Sequence, residues 1–531
     1  MRPVAYHGEV TDEQPLTRRA AREAAPAGPA APGAAGPQGP TVVAPAVVDE
    51  TGKPITPRSG VLAAIRKHPT AWLISALAVA FVLLGTGAVF AGVAYGSTPE
   101  EALPAETEEA LPPRPQPAIE QTSLALRTCS VQKLTADPRL MSLSASVVRA
   151  DNGEILVSRG AAKANRTASV LKVLTAAAAL EQLGADFQIK TSVVDGNSPG
   201  TIVLVGRGDA TLSNMPAGTE SVYAGAPKLS ALAAATIAKY SAAHPGQPIT
   251  NVVLDASYWS PSDKWDPSWK RSEQTIGYHS EVTALQVDGD RADPTRQTSP
   301  RTTDPISRAG KLFLAALRNA DTGGVVDPSA TISSGTAAGG SVLAEVRSQP
   351  VRVLIKQMLL NSDNTLAEML ARIVSRQGGL GGSAASLQQA IPSALWPDDP
   401  ETAARVVIRD GSGLSDENGV PALVMAQFMR KVQAGGNNLD IVRDALPVAG
   451  KSGTLASRFT GDNAVARGNV TAKTGWIDTA YTLSGFLTAK DGTVLTFAVY
   501  AIGNGIRDDA KQAIDSLVTG FYKCGDQLAN Y

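Results

Sequence analysis

An uncharged and almost wholly apolar run at residues 71–95 is the strongest constraint on how this chain can fold. Helical residues rise about 1.5 Å each, so the run spans roughly 37 Å, against about 30 Å for the hydrocarbon core of a bilayer. Arg66 and Lys67 precede the run and Glu100 follows it, so the positive-inside rule places its N-terminal side in the cytoplasm. A cleaved signal peptide is the alternative. The length of the run and its position well inside the chain favour a retained, single-pass transmembrane helix.

The segments on either side of this run have compositions that disfavour a packed core. Residues 1–70 are rich in Ala, Pro and Gly and are predicted to be a disordered cytoplasmic tail. Docking of a cytoplasmic partner is the alternative role for this tail. Residues 96–120 carry several prolines among acidic residues, which is typical of an extended linker. The net charge of −1 gives no indication of a nucleic-acid partner.

Three short motifs follow in a fixed order along the rest of the chain. They are Ser169-Val-Leu-Lys172, Ser362-Asp-Asn364 and Lys473-Thr-Gly475. Together they supply a nucleophilic serine, two lysines, a second hydroxyl and a carboxamide, which suffice for acyl transfer through a serine ester. A histidine-based triad is disfavoured, because none of the 4 histidines has triad-like neighbours. The chain shows no His/Cys/Asp cluster with the spacing of metal ligands, so neither a metal nor a cofactor is expected.

Two of the motifs have rival copies, and the local context separates them. Ser169 opens an Ala- and Leu-rich run that ends at Gly184, which predicts a buried helix with Lys172 one turn from the serine. The rival Ser130 is soon followed by an Asp-Pro pair that would end a helix early, so a solvated turn is expected there. Lys451-Ser-Gly453 has no strand pattern after it and is expected to be structural.

The other two motifs lie beside different secondary-structure patterns. Ser362-Asp-Asn364 separates two apolar helical patterns and is expected at an interhelical turn. Lys473-Thr-Gly475 precedes two alternating runs, 481–488 and 494–500, which are joined by an Asp-Gly turn and predict a β-hairpin. A lysine at a strand edge, next to a small hydroxyl, would present hydrogen-bond donors to a substrate carboxylate.

The chemistry of acyl transfer suggests a role for each motif residue. Lys172 would be the base that takes the Ser169 proton. Lowering its pKa from near 10.4 to about 7 costs roughly 4–5 kcal/mol, which burial and the charge of Lys473 would supply. Ser362 would relay a proton to the departing amine, and Asn364 would hold the substrate amide and the lysine base.

The third motif is also expected to bind the substrate. Thr474, Gly475 and Trp476 are the predicted binding residues, and the backbone N–H groups of Ser169 and Trp476 are the predicted oxyanion donors. The sequence offers no clear candidate for a glutamate that would act as a second base and activate water. Glu368 follows the second motif on the next predicted helix, and it is expected to lie on a solvated face.

The order of the motifs resembles that of the penicillin-recognising serine enzymes. The interval between the first two motifs is too long for a compact β-lactamase and leaves room for an inserted domain. Residues 201–213 and 409–415 are similar to segments of the type-4 D-alanyl-D-alanine carboxypeptidase/endopeptidase family. Residues 281–288 resemble the strand in that family that returns from the insert. The resemblance extends over residues 124–522.

The resemblance implies an α+β transpeptidase fold, shared by penicillin-binding proteins and β-lactamases. In this fold, helices flank an antiparallel sheet and an all-helical subdomain carries the second motif. The catalytic domain is expected at 121–191 and 326–531, with an inserted domain at 192–325. Cys129 and Cys524 bracket the catalytic region and are expected to form a disulfide in an oxidising exterior. Two free, buried cysteines are the alternative.

The expected function is that of a membrane-anchored serine D-Ala-D-Ala carboxypeptidase. It would act on peptidoglycan stem peptides through an acyl-enzyme and would be acylated by β-lactams. Whether the scissile bond is a terminal D-Ala–D-Ala bond or a cross-link, as in an endopeptidase, stays open. A serine β-lactamase is one alternative. A catalytically weak penicillin-binding scaffold that localises cell-wall enzymes is the other.

Overall fold

The computed structural model describes residues 127–529. The predicted tail at 1–70, transmembrane helix at 71–95 and linker at 96–120 lie outside these residues. Within the described range, no helix is both long and apolar enough to cross a membrane. The described part is an α+β structure with two main sheets and a group of buried helices.

The strands and helices are numbered separately in chain order. The strands are β1 (Cys129–Ser130), β2 (Ser142–Arg149), β3 (Ile155–Arg159), β4 (Ala164–Asn165), β5 (Lys190–Asp195), β6 (Thr201–Val205), β7 (Ile249–Asp255), β8 (Val326–Ser334), β9 (Val342–Arg347), β10 (Val420–Pro421), β11 (Val470–Ile477), β12 (Ala480–Thr488), β13 (Val494–Ile502) and β14 (Leu528–Ala529). The helices are α1 (Gln132–Thr135), α2 (Lys172–Leu183), α3 (Leu229–Ala243), α4 (Ser272–Ile276), α5 (Pro305–Ala320), α6 (Val351–Asn361), α7 (Asn364–Gln377), α8 (Leu387–Leu395), α9 (Pro400–Ala404), α10 (Ala422–Ala434), α11 (Leu439–Asp444) and α12 (Ala510–Cys524).

The first main sheet, called here the terminal sheet, is built from both ends of the described chain. β11, β12 and β13 form an antiparallel ladder in which Lys473 lies opposite Ser484. β2 and β3 form an antiparallel hairpin. The N–H of Ala150, just after β2, donates to the carbonyl of Val494 in β13 at 2.9 Å, so the hairpin lies beside β13. The hairpin predicted from the runs at 481–488 and 494–500 is confirmed as β12 and β13, and β11 lies at the edge of its ladder.

The helix that follows the first motif, α2, is almost completely enclosed. Its residues from Lys172 to Leu180 are all buried. The alanines at 176–179 let α6, α7 and α8 pack closely around it, because each adds only a methyl group to the helix surface. The helix ends before Gly184, whose φ of 82° is a conformation that glycine adopts readily. The predicted buried helix with a terminal glycine is confirmed.

The second motif forms the turn between α6 and α7, as predicted. Ser362 follows the last residue of α6 and has a left-handed backbone with a φ of 57°. Asp363 caps α7, because its side chain accepts the N–H of Leu366 at 3.0 Å. The two helices therefore meet at a tight corner that exposes the motif side chains to the space beside α2.

A five-stranded sheet, in the order β8-β7-β6-β5-β9, lies between the first two motifs in the sequence. β6, β7 and β8 are parallel neighbours, whereas β5 runs antiparallel to β6 and β9. The sheet extends from Lys190 to Arg347, beyond the expected limits of 192 and 325. The strands beyond residue 325, β8 and β9, have many exposed side chains and therefore few apolar residues in a regular pattern. The sequence accordingly offers little indication that they belong to this sheet. Residues 190–347 are called the inserted segment below.

Residues 281–288 do not form the expected strand, and that prediction was wrong. They are buried, but their backbone hydrogen bonds go to separate loops instead of one neighbouring strand. The N–H of Val282 donates to the Lys264 carbonyl at 2.8 Å, and the N–H of Asp288 donates to the Leu212 carbonyl at 2.7 Å. The segment is therefore an irregular, bent connection through the protein interior.

A disulfide joins Cys129 to Cys524, as predicted. Their Cα atoms are 5.5 Å apart, and the two residues are separated by 395 positions in the sequence. Cys129 also lies opposite Leu528 in the parallel pair of β1 and β14. The bond therefore fastens the first described strand to the end of α12.

Replacing both cysteines with serine should lower the free energy of unfolding. In the chain-entropy model, a loop of this size restricts the unfolded chain by roughly 5–6 kcal/mol, and the loss on removing such a bond is about 2–5 kcal/mol. Urea denaturation with and without a reductant measures this effect. The reductant should lower the wild-type midpoint to that of the double-serine variant and leave the variant unchanged. Identical midpoints in all samples would contradict a stabilising bond.

Candidate active site

Ser169 lies on a 3₁₀ turn that leads directly into α2. The turn covers Ala168–Leu171, and the α-helix begins at Lys172. Ala168 has a φ of 44°, an uncommon conformation for a residue other than glycine. Ser169 is only 4% exposed. The serine is thus almost enclosed, and the strained residue before it belongs to the same tight turn.

The Lys172 amino group is fully buried and contacts three oxygen atoms. Nζ lies 2.9 Å from Ser169 Oγ, 2.7 Å from Asn364 Oδ1 and 2.6 Å from the Ser412 carbonyl oxygen. The amide oxygen and the carbonyl can only accept hydrogen bonds. A neutral amine would therefore donate its two protons to these oxygens and direct its lone pair at the serine hydroxyl. This is the geometry that a lysine base requires.

Ser362 and Lys473 form a second polar pair. Lys473 Nζ donates to Ser362 Oγ at 2.9 Å and to the Thr474 carbonyl at 2.8 Å. Lys473 is fully buried. Because Asn364 contacts the other lysine, the corner between α6 and α7 lies between the two amino groups and contacts both.

Strand β11 approaches the serine turn closely because Gly475 has no side chain. A Cβ atom at this position would lie 2.9 Å from the Ser169 backbone nitrogen and 2.2 Å from Thr482 Oγ1. On the same strand, Thr474 Oγ1 is 2.7 Å from Thr454 Oγ1, so two hydroxyl groups stand side by side. The strand therefore forms one wall of the site.

A cleft of about 360 Å³ opens over Ser169. Thr474, Gly475 and Trp476 lie along it, and Arg458 and other charged or polar side chains extend the lining. The predicted catalytic and substrate-binding residues either line this cleft or belong to the hydrogen-bond network beneath it. The arrangement combines a buried nucleophile and base with a polar, open binding surface.

Sequence reasoning missed the contribution of Ser412, whose carbonyl contacts Lys172. Ser412 belongs to residues 409–415, which were noted for their resemblance but given no chemical role. Gly413, with a φ of 78°, lies where a Cβ atom would be 1.9 Å from the Ala168 carbonyl oxygen. Only glycine lets this loop pass so close to the serine turn. The paired glycines of the loop were the available signal.

Glu368 is fully buried, so the prediction of a solvated helix face was wrong. Its Oε1 accepts the backbone N–H groups of Gly411 and Ser412 at 3.0 and 2.7 Å. The loop that carries these groups covers this face of α7, although it lies far away in the sequence. The carboxyl group thereby holds the loop whose carbonyl contacts Lys172.

The Glu368 carboxyl has an unusual protonation equilibrium. Burial, and then the negative charge of Asp410, raise its pKa to about 7. Burial also raises the pKa of Asp410, which accepts the N–H groups of Gly413 and Ser415. Two buried carboxyl groups thus hold one loop, and mutual repulsion favours a proton on Glu368 below neutral pH.

The rival motif copies have structural positions. Ser130 is exposed in β1, where its hydroxyl accepts the N–H of Gln132 at 3.2 Å. Ser452 Oγ accepts the N–H of Val448 at 3.0 Å within a short turn. Ser130 is solvated as expected but lies in a short strand instead of a turn, and the Ser452 contact agrees with the interpretation of that copy as structural.

The fold and the cleft define a penicillin-recognising serine peptidase. Residues 127–300 and 290–522 match the D-Ala-D-Ala carboxypeptidase 3 (S13) family, and the chain belongs to that family. It is 33% identical over 480 residues to carboxypeptidase DacB of Mycolicibacterium smegmatis, an alignment that covers 86% of this chain and 99% of the relative. It is 34% identical over 406 residues to a carboxypeptidase of Mycobacterium tuberculosis, with 75% and 84% covered. The prediction of a serine-type D-Ala-D-Ala carboxypeptidase is confirmed.

The fold is shared with penicillin-binding protein 4 (DacB) of Haemophilus influenzae. The crystal structure of that protein superposes with a TM-score of 0.60 at 19% identity, covering 74% of this chain and 99% of that one. A structure of the same protein complexed with a β-lactam gives a TM-score of 0.55. The predicted α+β fold of penicillin-binding proteins is confirmed.

The pKa of Glu368 predicts how stability changes with pH. Because the folded value of about 7 exceeds the ordinary 4.5, the folded protein binds more protons than the unfolded chain between these pH values. This contribution to stability is complete below pH 4.5 and is lost as the pH rises through 7. Glu368→Gln should remove it, because an amide oxygen accepts the same two N–H groups without titrating. Urea denaturation across this range measures the difference between wild type and variant.

Glu368→Ala is the matched comparison. It leaves the N–H groups of Gly411 and Ser412 unpaired, which costs about 1–3 kcal/mol per buried group. This loss should appear even at pH 4.5, where Glu368→Gln is close to wild type. A difference between wild type and Glu368→Gln that stays constant with pH would contradict the raised pKa.

Proposed function

We propose that this protein removes the terminal D-alanine from peptidoglycan stem peptides through an ester at Ser169, and that β-lactams acylate the same serine. The observation that carries the proposal is the buried Lys172 amino group, 2.9 Å from Ser169 Oγ and held by two further oxygen atoms. Such a lysine can activate a serine without a histidine. The family match supports the substrate class.

Acylation begins when neutral Lys172 accepts the Ser169 proton as Oγ bonds to the carbonyl carbon of the penultimate D-alanine. The negative charge that develops on the carbonyl oxygen is assigned to the backbone N–H groups of Ser169 and Trp476. When the C–N bond breaks, the leaving amine needs a proton. Ser362 is the relay in this proposal, because its hydroxyl accepts a hydrogen bond from Lys473 and faces the cleft.

Deacylation repeats the chemistry with water as the nucleophile. Lys172 transfers its acquired proton onward before it accepts one from the attacking water. The ester bond to Ser169 then breaks, the serine regains its proton, and the shortened peptide leaves. Ser169 and Lys172 therefore act in both halves of the reaction.

Recognition of the terminal carboxylate is assigned to the β11 wall. Lys473 supplies a positive charge, and Thr474 and Thr454 supply adjacent hydroxyl donors. Charge-assisted hydrogen bonds of this kind are stronger than neutral ones. Gly475 and Trp476 shape the strand edge on which the substrate backbone would lie.

The position of Glu368 favours a carboxypeptidase over a β-lactamase with a glutamate base. Its Oε1 accepts the N–H groups of Gly411 and Ser412, and its Oε2 makes no hydrogen bond to the serine hydroxyl. A β-lactam ester at Ser169 should therefore persist for longer than in a β-lactamase. The hydrogen bonds between the motif residues also favour an active enzyme over a weak scaffold.

Benzylpenicillin should form a covalent adduct on Ser169, and Ser169→Ala should lose both the adduct and the release of D-alanine. Mass spectrometry of the labelled peptide and an assay on a diacetylated D-Ala-D-Ala peptide measure the two effects. Ser130→Ala is the matched control and should retain both. An adduct that persists in Ser169→Ala would refute the assignment. A cross-linked peptide dimer assayed in parallel distinguishes endopeptidase activity.

We also propose that residues 71–95 anchor the protein in the cell membrane, with residues 127–529 outside. The absence of charge in the run supports this, as do Arg66 and Lys67 before it. The Cys129–Cys524 disulfide fits an oxidising compartment. Residues 96–120 would then serve as a spacer towards the wall, and the tail at 1–70 would be available to a cytoplasmic partner.

Protease added to intact spheroplasts should digest the catalytic part and spare an epitope tag fused to Met1. Permeabilised spheroplasts are the control and should lose the tag as well, since the protease then reaches the cytoplasm. A mature protein that begins near Gly96 and is released in soluble form would show that the run is a cleaved signal, and would contradict the anchor.

A further inference from the structure

Asp363, the middle residue of the second motif, is bound by two residues of the inserted segment. Arg291 Nη2 lies 2.8 Å from Asp363 Oδ2, and the Tyr223 hydroxyl donates to the same oxygen at 3.0 Å. Arg291 Nη1 also donates to the Tyr223 hydroxyl oxygen at 2.7 Å. The Arg291 and Asp363 side chains are each 2% exposed, and Tyr223 is 3% exposed. These three residues are called the Asp363 clamp.

The clamp contains a charged pair, although it is buried. Burial alone would raise the pKa of Asp363, but the positive charges of Arg291 and Arg301 hold it at about 2. Burial raises the pKa of Tyr223, which stays a hydrogen-bond donor. Desolvation largely offsets the attraction within a buried ion pair, so apolar groups of the same volume are often equally stabilising. We therefore explain the Arg291–Asp363 ion pair by the orientation that it imposes on the Asp363 side chain, and not by a gain in the free energy of unfolding.

The backbone that delivers Arg291 is strained. Asp288, Gly289 and Asp290 have consecutive φ values of 53°, 57° and 58°, a left-handed run that aspartate rarely adopts. A Cβ atom on Gly289 would lie 2.5 Å from Arg291 Nη1 and 2.7 Å from the Tyr223 hydroxyl. Glycine is therefore required for the clamp to close. Strain of this kind persists only where the surrounding structure imposes it, and it is concentrated at functional sites.

The clamp acts on a turn that is itself unusual. Ser362 is left-handed, with a φ of 57°. Asp363 uses Oδ1 to accept the N–H of Leu366 at the start of α7 and Oδ2 to bind the clamp, so both carboxylate oxygens are engaged. Its two sequence neighbours, Ser362 and Asn364, contact the two lysines of the site. Any rotation of Asp363 would displace both contacts together.

We propose that Arg291 and Tyr223 are positioning residues for the acyl transfer. They hold Asp363 so that Ser362 stays on Lys473 and Asn364 stays on the lysine base. Neither residue takes part in proton transfer. This inference rests on the proposed function, since it assumes that the turn between α6 and α7 belongs to the reacting machinery.

Tyr223→Phe tests the clamp with a minimal change in the full-length protein. Loss of one hydroxyl should reduce the rate constant for acylation by benzylpenicillin about 10-fold, because small displacements of reacting groups are costly. Tyr240→Phe is the matched control. Tyr240 is a buried tyrosine of the same segment whose hydroxyl lies near Asp195 and Gly200. It should acylate at the wild-type rate. Equal rates for wild type and Tyr223→Phe would overturn the proposal.

The double variant Arg291→Met with Asp363→Asn separates positioning from stability. Asparagine retains an oxygen that can cap Leu366, and methionine fills the arginine volume without charge. The denaturation midpoint of this double variant should lie close to that of the wild type. Its acylation by benzylpenicillin should nevertheless be slower than in the wild type, because no charged pair fixes the turn. Recovery of the acylation rate together with the midpoint would overturn a positioning role. Arg291→Lys should be acylated faster than the double variant and more slowly than the wild type, since it keeps the positive charge without the guanidinium geometry.

The same labelling experiment distinguishes this inference from the proposed function. If benzylpenicillin labels a residue other than Ser169 in the wild-type protein, the proposed function fails. If Ser169 is labelled normally and the clamp variants react as fast as wild type, only the clamp proposal fails.

Discussion

Burial of the Lys172 amino group is the constraint on which the rest of the site depends. A polar group enclosed in the protein interior is costly unless all of its hydrogen bonds are made. Its three hydrogen-bond partners come from different parts of the chain, namely Ser169, Asn364 and Ser412. The serine turn, the start of α7 and the loop at 409–415 must therefore converge on one nitrogen atom. Local backbone strain and close glycine contacts follow from that convergence.

A second layer of buried carboxyl groups holds those acceptors, and its members have opposite pKa shifts. Glu368 faces the negative charge of Asp410 and is deeply buried, so its pKa rises to about 7. Asp363 is equally buried, but Arg291 faces it, and its pKa falls to about 2. Burial raises the pKa of both groups, so the neighbouring charge reinforces the shift at Glu368 and reverses it at Asp363. Glu368 thus holds the 409–415 loop through a carboxyl group that becomes protonated below about pH 7, while Asp363 fixes its turn as an ion.

Parts of the fold that depend on neighbours in the sequence could be predicted from the sequence. The α2 helix and the two hairpins carry their periodicity and turn residues within each segment. The partners of Glu368 and Arg291 lie as far as 44 and 72 positions away, so local patterns do not contain them. Residues 281–288 resembled a strand, but separate loops take their backbone hydrogen bonds. Burial and pairing in these cases are decided by the tertiary structure.

The inserted segment completes the site from several directions. The Trp269 indole donates to Asp410 at 2.8 Å, and the Tyr278 carbonyl accepts from the Asn364 amide at 3.3 Å. These contacts join residues 141 and 86 positions apart. Bringing such distant residues together costs loop-closure entropy, which the packed structure must offset. Lys172 lies one helical turn from its serine, whereas Asn364 and Ser412 lie 192 and 240 positions from it in the sequence. Catalytic geometry is therefore a property of the whole folded catalytic region.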